Sequence, residues 1–429
     1  MAAALRRSDN EKKREWITMA APKVIVQLYP MMPTDGEDDR KSKRPVGADR
    51  DLYNRVIHEW TDIIKEADAM GIWGCSTIEH HLHSEGYEVG PNPGVLNAYW
   101  ANHLTNMRVG ALGYVIGTND PIRVAEETAI IDHLTNGKYF VGFARGYQAR
   151  WTNILGQYSG AQATSSDGGD IDQLNREIFE ERVEMVLDCW TNDLNRLEGK
   201  HYQAPYPLDT GVLGYPGTKL ASEAGAPGEV GDNDNIQAVC VVPKPYQRPH
   251  PPVFIGVHKS PATIEFCAKH GFHPCYFNPT DAVIDLSKMY VEQAAKFGHN
   301  FQLGERQNIV RQTRIAKSPE EFERRVKKYD VDIFKNFYSM FANHNVDPAE
   351  GDVDAAFNSM KNTSFLTGGT VDDCIRYWKG IFDQAPFEYI TLIWHFAQQP
   401  KDEVLEEMQL FMEKVVPELD VPDYAIAAE

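Results

Sequence analysis

The chain has 429 residues, of which 42% are hydrophobic and 11% aromatic, a composition that fits a large folded core and excludes an extended disordered protein. Its 62 acidic residues outnumber its 43 basic ones, which gives a net charge of −19. The sequence has no basic stripe that could neutralise phosphates, which excludes nucleic acid as a partner. No apolar run approaches the roughly 20 residues that cross a bilayer, and no signal-peptide pattern opens the chain, so we expect a cytoplasmic protein without a membrane partner.

Short apolar runs and helical patterns alternate along the first half of the chain. After a leader over residues 1–22 that we expect to be flexible, the runs predict four strands, at Val24–Tyr29, Trp73–Ile78, Met107–Ile116 and Tyr139–Ala144. Apolar residues at helical spacing predict helices at Leu52–Ala67, Val95–Thr105, Pro121–Leu134 and Ile171–Trp190. Gly71 stands where the first of these helices would end, which supports that boundary.

The second half continues the alternation after a long segment, His201–Pro252, whose density of Gly and Pro predicts an insertion with one hairpin. Four further strands are predicted at Val253–Val257, His273–Phe277, Asn308–Ile315 and Tyr389–Trp394. Eight strands that alternate with helices favour a closed (β/α)8 TIM barrel, and no glycine-rich dinucleotide motif favours an open sheet. We therefore predict one barrel domain over residues 23–420, with insertions at 158–238 and 335–365 and a tail at 421–429.

Ionisable side chains cluster directly after the second predicted strand. Glu79, His80, His81 and His83 place four ionisable groups within five residues, at the end of a strand where barrels carry their reactive groups. A lone histidine there is more often a hydrogen-bonded structural residue, but a cluster favours a site. We expect Trp394, at the end of the eighth strand, to line the same substrate pocket.

Groups suited to an anion follow the fourth and fifth predicted strands. Arg145 stands next to Gly146, which allows close approach of a ligand, and Ser260 precedes a helix predicted at Ala262–His270. Arg145 and Ser260 could hold one phosphate together, whereas the alternative for Arg145 is an ordinary ion pair.

Several segments, in this order, resemble the bacterial luciferase-like flavin monooxygenases. They are EHH at 79–81, NDPIRVAEETAIIDHLTNGKYFVGFARG at 119–146, PKPYQRPHPPVFIGVHKSP at 243–261, LTGGTVDDCIRYW at 366–378 and LFMEKVVPEL at 410–419. The resemblance runs from Val24 to near the end of the chain and is weakest across 158–238 and 335–365.

This resemblance implies roles for individual residues. His80, the first histidine of EHH, matches the catalytic histidine of the family, and Arg145 and Ser260 match groups that bind the flavin phosphate. GALGY at 110–114 matches a strand bulge whose cis peptide bond supports the flavin ring, which implies a cis bond near Leu112 and Gly113, with Tyr114 beside the pocket. Lys259 replaces a family glutamate and implies a firmer hold on the phosphate, while Ala144 replaces a reactive cysteine and implies a different substrate.

The function implied is a monooxygenation of a small organic substrate by dioxygen and reduced FMN, through a flavin 4a-hydroperoxide. His80 would act as proton donor or acceptor, and a separate flavin reductase would supply the reduced FMN. The resemblance also implies a homodimer, for which the helices Val95–Thr105 and Pro121–Leu134 offer Ala98, Ala101, Ala125 and Ala129 for close approach. A polar loop over Asn343–Phe365 is predicted to close over the flavin.

Three other functions stay open at this point. A deazaflavin-dependent dehydrogenase of the same superfamily would transfer hydride without oxygen, and a flavin carrier would not turn over at all. A zinc hydrolase could use the pair His81 and His83, which alternate onto one face of an extended strand. The six cysteines lie far apart, so they predict free core thiols and no metal site.

Overall fold

The computed structural model describes residues 19–165, 167–257, 260–341, 353–361 and 366–424. Within these ranges the strands are β1 (Met19–Ala20), β2 (Lys23–Leu28), β3 (Gly74–Thr77), β4 (Arg108–Val115), β5 (Tyr139–Ala144), β6 (Leu197–Glu198), β7 (Gln203–Ala204), β8 (Val253–Val257), β9 (His273–Tyr276), β10 (Asn308–Ile315), β11 (Leu366–Gly369), β12 (Tyr389–Trp394) and β13 (Val421–Pro422). The α-helices are α1 (Glu37–Ser42), α2 (Arg50–Ala69), α3 (Pro93–Ala101), α4 (Pro121–Leu134), α5 (Ala149–Leu155), α6 (Asp170–Thr191), α7 (Thr218–Ala224), α8 (Pro261–His270), α9 (Thr280–Lys296), α10 (Pro319–Tyr329), α11 (Val331–Asn336), α12 (Val353–Lys361), α13 (Val371–Phe382) and α14 (Lys401–Leu410).

The chain divides into two compact units, the first of which contains the described parts of residues 1–91, 103–107 and 255–429. Its parallel strands pair in the order β3, β2, β12 and β10, and β10 also pairs with β9 and β11. The strands are short and buried on both faces, as β12 shows with all six residues buried, which is why they read as continuous apolar runs. Helix α2 buries Val56, Trp60, Ile63, Ile64 and Ala67, the stripe that its spacing predicts.

The second unit contains residues 92–102 and 108–254. Its strands β4 and β5 pair in parallel, with a shift of register between Ala111 and Tyr114. Helix α4 begins at an Asp120 cap whose carboxylate accepts from the amides of Ile122 and Arg123. Helix α6 packs on it, and the Trp190 indole N–H donates to the Ala125 carbonyl at 3.1 Å. The short antiparallel pair β6 and β7 lies at the start of the predicted insertion, but β6 precedes His201, so this pair is not the hairpin predicted within His201–Pro252.

The fold class predicted from the sequence, the (β/α)8 TIM barrel, is confirmed, and all eight predicted strands are present within one residue at either end. Strand β11 was not predicted, because two of its four residues are glycines, which are rare in strand interiors. Five of the six cysteines are buried and Cys240 is half-buried, and all six are free thiols as predicted. No helix of the described ranges combines the length and apolar composition needed to cross a bilayer.

Three segments differ from the sequence predictions. Strand β1 lies in the segment predicted as a flexible leader, and β13 lies in the segment predicted as a tail. The two strands form an antiparallel pair. Helix α12 lies inside the predicted loop Asn343–Phe365 and buries Ala356, Phe357 and Met360, while residues 343–352 and 362–365 of that loop lie outside the described ranges. Helix α3 ends at Ala101 rather than Thr105.

Candidate active site

The loop between β3 and α3 carries the predicted histidine cluster and is fixed by Arg40. The guanidinium donates to the carbonyl oxygens of Met32 at 3.2 Å and Glu85 at 3.0 Å, and it pairs with Asp332 at 3.0 Å. The Tyr87 hydroxyl donates to the same Asp332 carboxylate at 3.0 Å, and its ring centroid lies 4.3 Å from the guanidinium carbon. Because these groups tie the loop to the first unit at both its backbone and its side chains, the cluster has a defined geometry.

His80 pairs with a buried carboxylate from the same loop. Its Nδ1 lies 2.8 Å from Glu88 Oε2, and the Glu88 side chain is 1% exposed. The Tyr338 hydroxyl donates to the other oxygen of Glu88. Burial acts to raise the pKa of Glu88, but His80, His83 and Tyr338 outweigh it and hold that pKa at about 2. Glu88 is therefore ionised at neutral pH, and its carboxylate orients the His80 ring. When the proton of the neutral ring is on Nδ1, facing Glu88, the lone pair is on Nε2.

The carboxylate of Glu88 is the start of a longer buried network in the first unit. Tyr338 Oη lies 2.9 Å from His395 Nε2, and His395 Nδ1 lies 3.2 Å from Asp330 Oδ1. Arg314 donates to both oxygens of Asp330, at 2.9 and 2.6 Å. Burial acts to raise the pKa of Asp330, but Arg314 and His395 outweigh it and lower that pKa. The network is fully buried at His395, Asp330 and Arg314, where charge-assisted bonds are strongest.

The other ionisable groups of the cluster have separate partners. His81 Nε2 lies 3.2 Å from Glu79 Oε1. His83 Nδ1 bonds the Tyr87 carbonyl oxygen, and the His83 ring centroid lies 5.5 Å from that of His80. His83 therefore lies beside His80, whereas Glu79 and His81 form a pair of their own.

One group among the described residues has ligand atoms close enough for a metal ion. It consists of His80, His83 and Glu88, whose atoms lie within 4.8 Å of one another. The group does not contain His81, so the pair His81 and His83 of the zinc-hydrolase hypothesis is not the arrangement found. The 2.8 Å contact between His80 Nδ1 and Glu88 Oε2 is that of an ion pair.

In the second unit, the peptide bond between Leu112 and Gly113 is cis, as the resemblance implied. A Cβ atom at Gly113 would lie 2.3 Å from the carbonyl of Gly142, and one at Gly142 would lie 2.5 Å from the carbonyl oxygen of Ala111. The two strands therefore approach so closely here that only glycine fits. The support of a flavin ring by Leu112 and Gly113 stays a prediction.

Tyr114, which follows the cis bond, is buried, and its hydroxyl donates to Glu127 Oε1 at 2.8 Å. Burial raises the pKa of Tyr114, with Tyr139 and Glu127 adding to the effect. The hydroxyl is therefore a neutral donor in a fixed direction, and its place beside a substrate stays a prediction.

Arg145 forms a half-buried ion pair in the second unit. One guanidinium N–H donates to Asp172 Oδ1 at 2.8 Å, and the Arg145 side chain is 14% exposed. Thr164 Oγ1 also donates to this oxygen at 2.7 Å. The guanidinium has five N–H donors, so a pair with one carboxylate is compatible with a second anion. Gly146 follows at φ +82°, a backbone that favours glycine. Phosphate binding by Arg145 and Gly146 stays a prediction.

The remaining predicted site residues that the structure describes lie in the first unit. Ser260 precedes α8 as its N-cap residue, with Pro261 at the first helical position, and its phosphate role stays a prediction. Lys259 lies outside the described residues. The Trp394 side chain is fully buried and its indole N–H donates to Glu407 Oε2 at 3.0 Å, and its role in a pocket stays a prediction.

Five residues of the buried network, Arg314 among them, were not predicted from the sequence. His395 follows β12 directly, so the rule that selected His80 at a strand end would have selected it too. Glu88, Asp330 and Tyr338 come from a loop, a helix cap and a short turn. No local pattern marks them, because their partners lie far away along the chain.

Comparisons with known proteins place the chain among enzymes. The family of luciferase-like monooxygenases matches residues 42–358. The chain is 24% identical over 300 residues to the oxygenase component of a flavin-dependent trigonelline monooxygenase from Acinetobacter baylyi, covering 68% of each protein. The oxygenating constituent of a 3,6-diketocamphane monooxygenase from Pseudomonas putida, solved with FMN, has a TM-score of 0.66 at 16% identity, covering 94% of this chain and 100% of that chain. An F420-dependent secondary alcohol dehydrogenase has a TM-score of 0.58 at 10% identity, covering 93% and 99%.

Proposed function

The chain belongs to the luciferase-like monooxygenase family, and we propose that it is the oxygenase of a two-component, FMN-dependent monooxygenase that oxidises a small organic substrate with dioxygen. The relative from Acinetobacter baylyi is named as an oxygenase component, which supports a separate flavin reductase as partner. The structure with FMN among the similar proteins supports FMN as the cofactor.

The observation that carries the proposal is the pair of His80 and Glu88. A histidine oriented by a buried carboxylate can accept or deliver a proton at Nε2, as the chemistry of an oxygenase requires. The Tyr338 hydroxyl donates to the second oxygen of Glu88, which helps to orient the carboxylate. Because Glu88 is buried, water is excluded from the side of the imidazole that faces it. This water would otherwise be an unwanted source of protons.

The residues of the second unit fit the charge of a flavin phosphate. Arg145 is a part-buried cation next to the backbone of Gly146, which has no side chain to obstruct an anion. A bound reduced flavin supplies the electrons that activate dioxygen, chemistry that side chains do not provide. The role of the chain is then to hold the phosphate at Arg145 and to manage a proton at His80.

The proposal is tested by binding photoreduced FMN without oxygen and then admitting isotopically labelled dioxygen. We expect tight binding of the reduced flavin, slower release of hydrogen peroxide than from free reduced FMN, and label in a product from a panel of small organic compounds. Immediate peroxide release and no labelled product would contradict the proposal. Oxygen-independent reduction of a deazaflavin by a secondary alcohol would instead assign the chain to the dehydrogenases.

Replacing Arg145 with alanine should weaken FMN binding by about 2 kcal/mol, because a charge-assisted bond to the phosphate is lost. Isothermal titration of FMN measures the change. Arg176→Ala is the control, since Arg176 lies on the same helix as Asp172 and faces Glu180 at 3.8 Å. Thermal unfolding of both variants shows whether a loss of FMN binding is caused by a loss of stability when the ion pair with Asp172 is removed. An unchanged dissociation constant for Arg145→Ala would place the phosphate elsewhere.

A homodimer is proposed as well, through the same two helices that were predicted but with other residues than Ala125 and Ala129 at its surface. Ala125 and Ala129 are fully buried within the second unit, so they are not available for close approach of a partner. The same two helices expose larger apolar residues instead, at 63, 43, 48 and 49% of their surface: Val95, Tyr99, Ile130 and Leu134. Such a patch is typical of a protein interface.

Replacing Ile130 with lysine should therefore yield a monomer, because a charge would be desolvated in the interface. Sedimentation equilibrium at micromolar concentration measures the mass. Leu220→Lys is the control, since Leu220 is 69% exposed on α7. A wild-type chain that sediments as a monomer would refute the dimer, and a dimeric Ile130→Lys variant would refute this surface.

A further inference from the structure

Three side chains from one loop of the first unit converge on a common point. His80, His83 and Glu88 each offer one nitrogen or oxygen atom, and these three atoms lie within 4.8 Å of one another. His80 Nδ1 and Glu88 Oε2 are 2.8 Å apart. Two ligands of one zinc ion, at bonds of about 2.0–2.2 Å, lie roughly 3–4 Å from each other. Small adjustments of the three side chains therefore suffice to bring their atoms to one ion.

The backbone of this loop is fixed in an unusual conformation at one of the three residues. Glu88 has φ +49°, in the left-handed region that favours glycine, and its side chain lies against His80. The His80 amide donates to the Gly90 carbonyl at 3.1 Å, and the Val89 amide donates to the Pro30 carbonyl at 2.8 Å. Such a conformation is retained only where the surroundings enforce it, and it is common at ligand sites. The three side chains are therefore held together before any ligand binds.

Two of the three side chains have a second hydrogen bond that orients them. His83 Nδ1 bonds the Tyr87 carbonyl oxygen. Because a carbonyl oxygen only accepts, Nδ1 carries the proton of the neutral ring and Nε2 has the lone pair. The Tyr338 hydroxyl donates to Glu88 Oε1, whereas Oε2 faces His80. Metal-binding histidines and carboxylates in proteins have outer partners of this kind, which fix the tautomer and direct the lone pairs.

The charge of Glu88 favours a cation at this point. The Glu88 side chain is 1% exposed, and no Lys or Arg within the described ranges pairs with it. Its ion-pair partner is His80, which is positive only when protonated. Among the described residues, none donates a hydrogen bond to Oε2. Buried charges in proteins are paired or coordinate metals, and a divalent ion would supply both the charge and a bond to Oε2.

The types of ligand atom select the kind of ion. Two imidazole nitrogens and one carboxylate oxygen are a ligand set of zinc enzymes, in which a water molecule takes the fourth position. Mg²⁺ and Ca²⁺ prefer oxygen ligands and are disfavoured by two imidazoles. Glu88 and His83 are buried, whereas the His80 side chain is 13% exposed. An ion would therefore enter past His80.

We propose that His80, His83 and Glu88 form a site for a divalent transition-metal ion of the Zn²⁺ type, and that this ion inhibits the enzyme. The inhibition rests on the proposed function, whereas the binding of the ion does not. The ion binds His80 at Nδ1, in the place of the proton that faces Glu88. The proton of the neutral ring is then on Nε2, which keeps no lone pair, so His80 no longer accepts a proton there.

Binding is measured on the full chain after treatment with a chelator, by isothermal titration with Zn²⁺ and by the visible absorption of Co²⁺ as its substitute. We expect a single tight equivalent in the wild type, for which Mg²⁺ does not compete. Glu88→Gln and His83→Asn should each weaken this binding by at least about 100-fold, because each removes a ligand atom. The asparagine amide keeps a donor for the Tyr87 carbonyl and removes Nε2 alone.

His81→Asn is the matched control, because His81 adjoins His80 but pairs with Glu79 at 3.2 Å. It should leave the Zn²⁺ affinity and the Co²⁺ spectrum unchanged. A wild-type chain that binds no Zn²⁺, or one affinity shared with Glu88→Gln and His83→Asn, would overturn the site. An equal loss in His81→Asn would overturn it too. If Glu88→Gln does not fold, His83→Asn decides alone.

The effect on catalysis is measured in a single turnover with photoreduced FMN, so that no reductase is exposed to the ion. Saturating Zn²⁺ should lower the product formed per reduced FMN about 100-fold in the wild type. In His83→Asn, the yields with and without Zn²⁺ should be equal. Bound Zn²⁺ with an unchanged wild-type yield would overturn the inhibition. Bound Zn²⁺ in a chain that oxygenates no substrate even without the ion would support the site and reject the proposed function.

Discussion

Replacing His80 with alanine lowers product formed per reduced FMN by about 100-fold, in our expectation, while the FMN dissociation constant changes less than about twofold. The pKa of Glu88 is held at about 2, so its carboxylate stays ionised at neutral pH and the proton role in this pair is assigned to the imidazole. It does not contribute to the charge that holds a phosphate. Product yield and peroxide release, measured together at saturating FMN, give the result.

His81→Ala is the control for this variant. His81 is the next residue along the chain, but its Nε2 faces Glu79 at 3.2 Å rather than Glu88. It should keep most of the wild-type yield. Equal losses of binding and yield in His80→Ala would show that His80 holds the flavin, and a larger loss in His81→Ala would transfer the proton role to the second histidine.

Replacing Arg314 with leucine should lower the free energy of unfolding by about 3–5 kcal/mol, the cost of leaving a buried carboxylate without its cation. Arg314 and Asp330 are both fully buried, and the guanidinium makes two bonds to the carboxylate. Because Arg314 and His395 lower the pKa of Asp330 in the fold against the opposite effect of burial, the contribution of Asp330 is present at neutral pH. It is lost as pH falls through that lowered pKa.

Urea unfolding of wild type and variant measures this difference. Lys379→Ala is the control, since Lys379 and Glu418 form a pair at 2.9 Å in which both side chains are about half exposed. That pair should contribute less than about 1 kcal/mol. A similar small loss for Arg314→Leu would mean that water reaches Asp330 and that its charge does not depend on Arg314.

The strands were predictable from the sequence because each carries its signal locally. The runs at β2 and β12 are rich in Val, Ile and Leu and end at a change of composition, so their positions follow from a few residues. Strand β11 has Leu366 and Thr367 followed by two glycines, and it pairs with the carboxyl half of β10, residues 312–315, beyond the part of β10 that pairs with β9 and β12. Helix α12 similarly packs Phe357 and Met360 onto a distant cluster.

The candidate site was predictable only in part, for the same reason. His80 and Arg145 stand at strand ends, where the barrel itself marks them. The partner of His80 is Glu88, whose own partner Tyr338 is 250 residues further along the chain. The partner of Arg145 is Asp172, on a helix that reads from the sequence as an ordinary amphipathic one. Pairings of this kind depend on the folded backbone, and a single sequence contains no periodicity that reports them.

The close approach of Gly113 and Gly142 limits how this region can diverge. Each glycine has backbone atoms of the opposite strand where its Cβ would be, so a larger residue at either position meets main chain and not a side chain that could be exchanged. A second substitution cannot create the missing space. Neutral mutations can therefore accumulate around these two positions, but single substitutions at the positions themselves are not tolerated. A library randomised at both should return glycine at both.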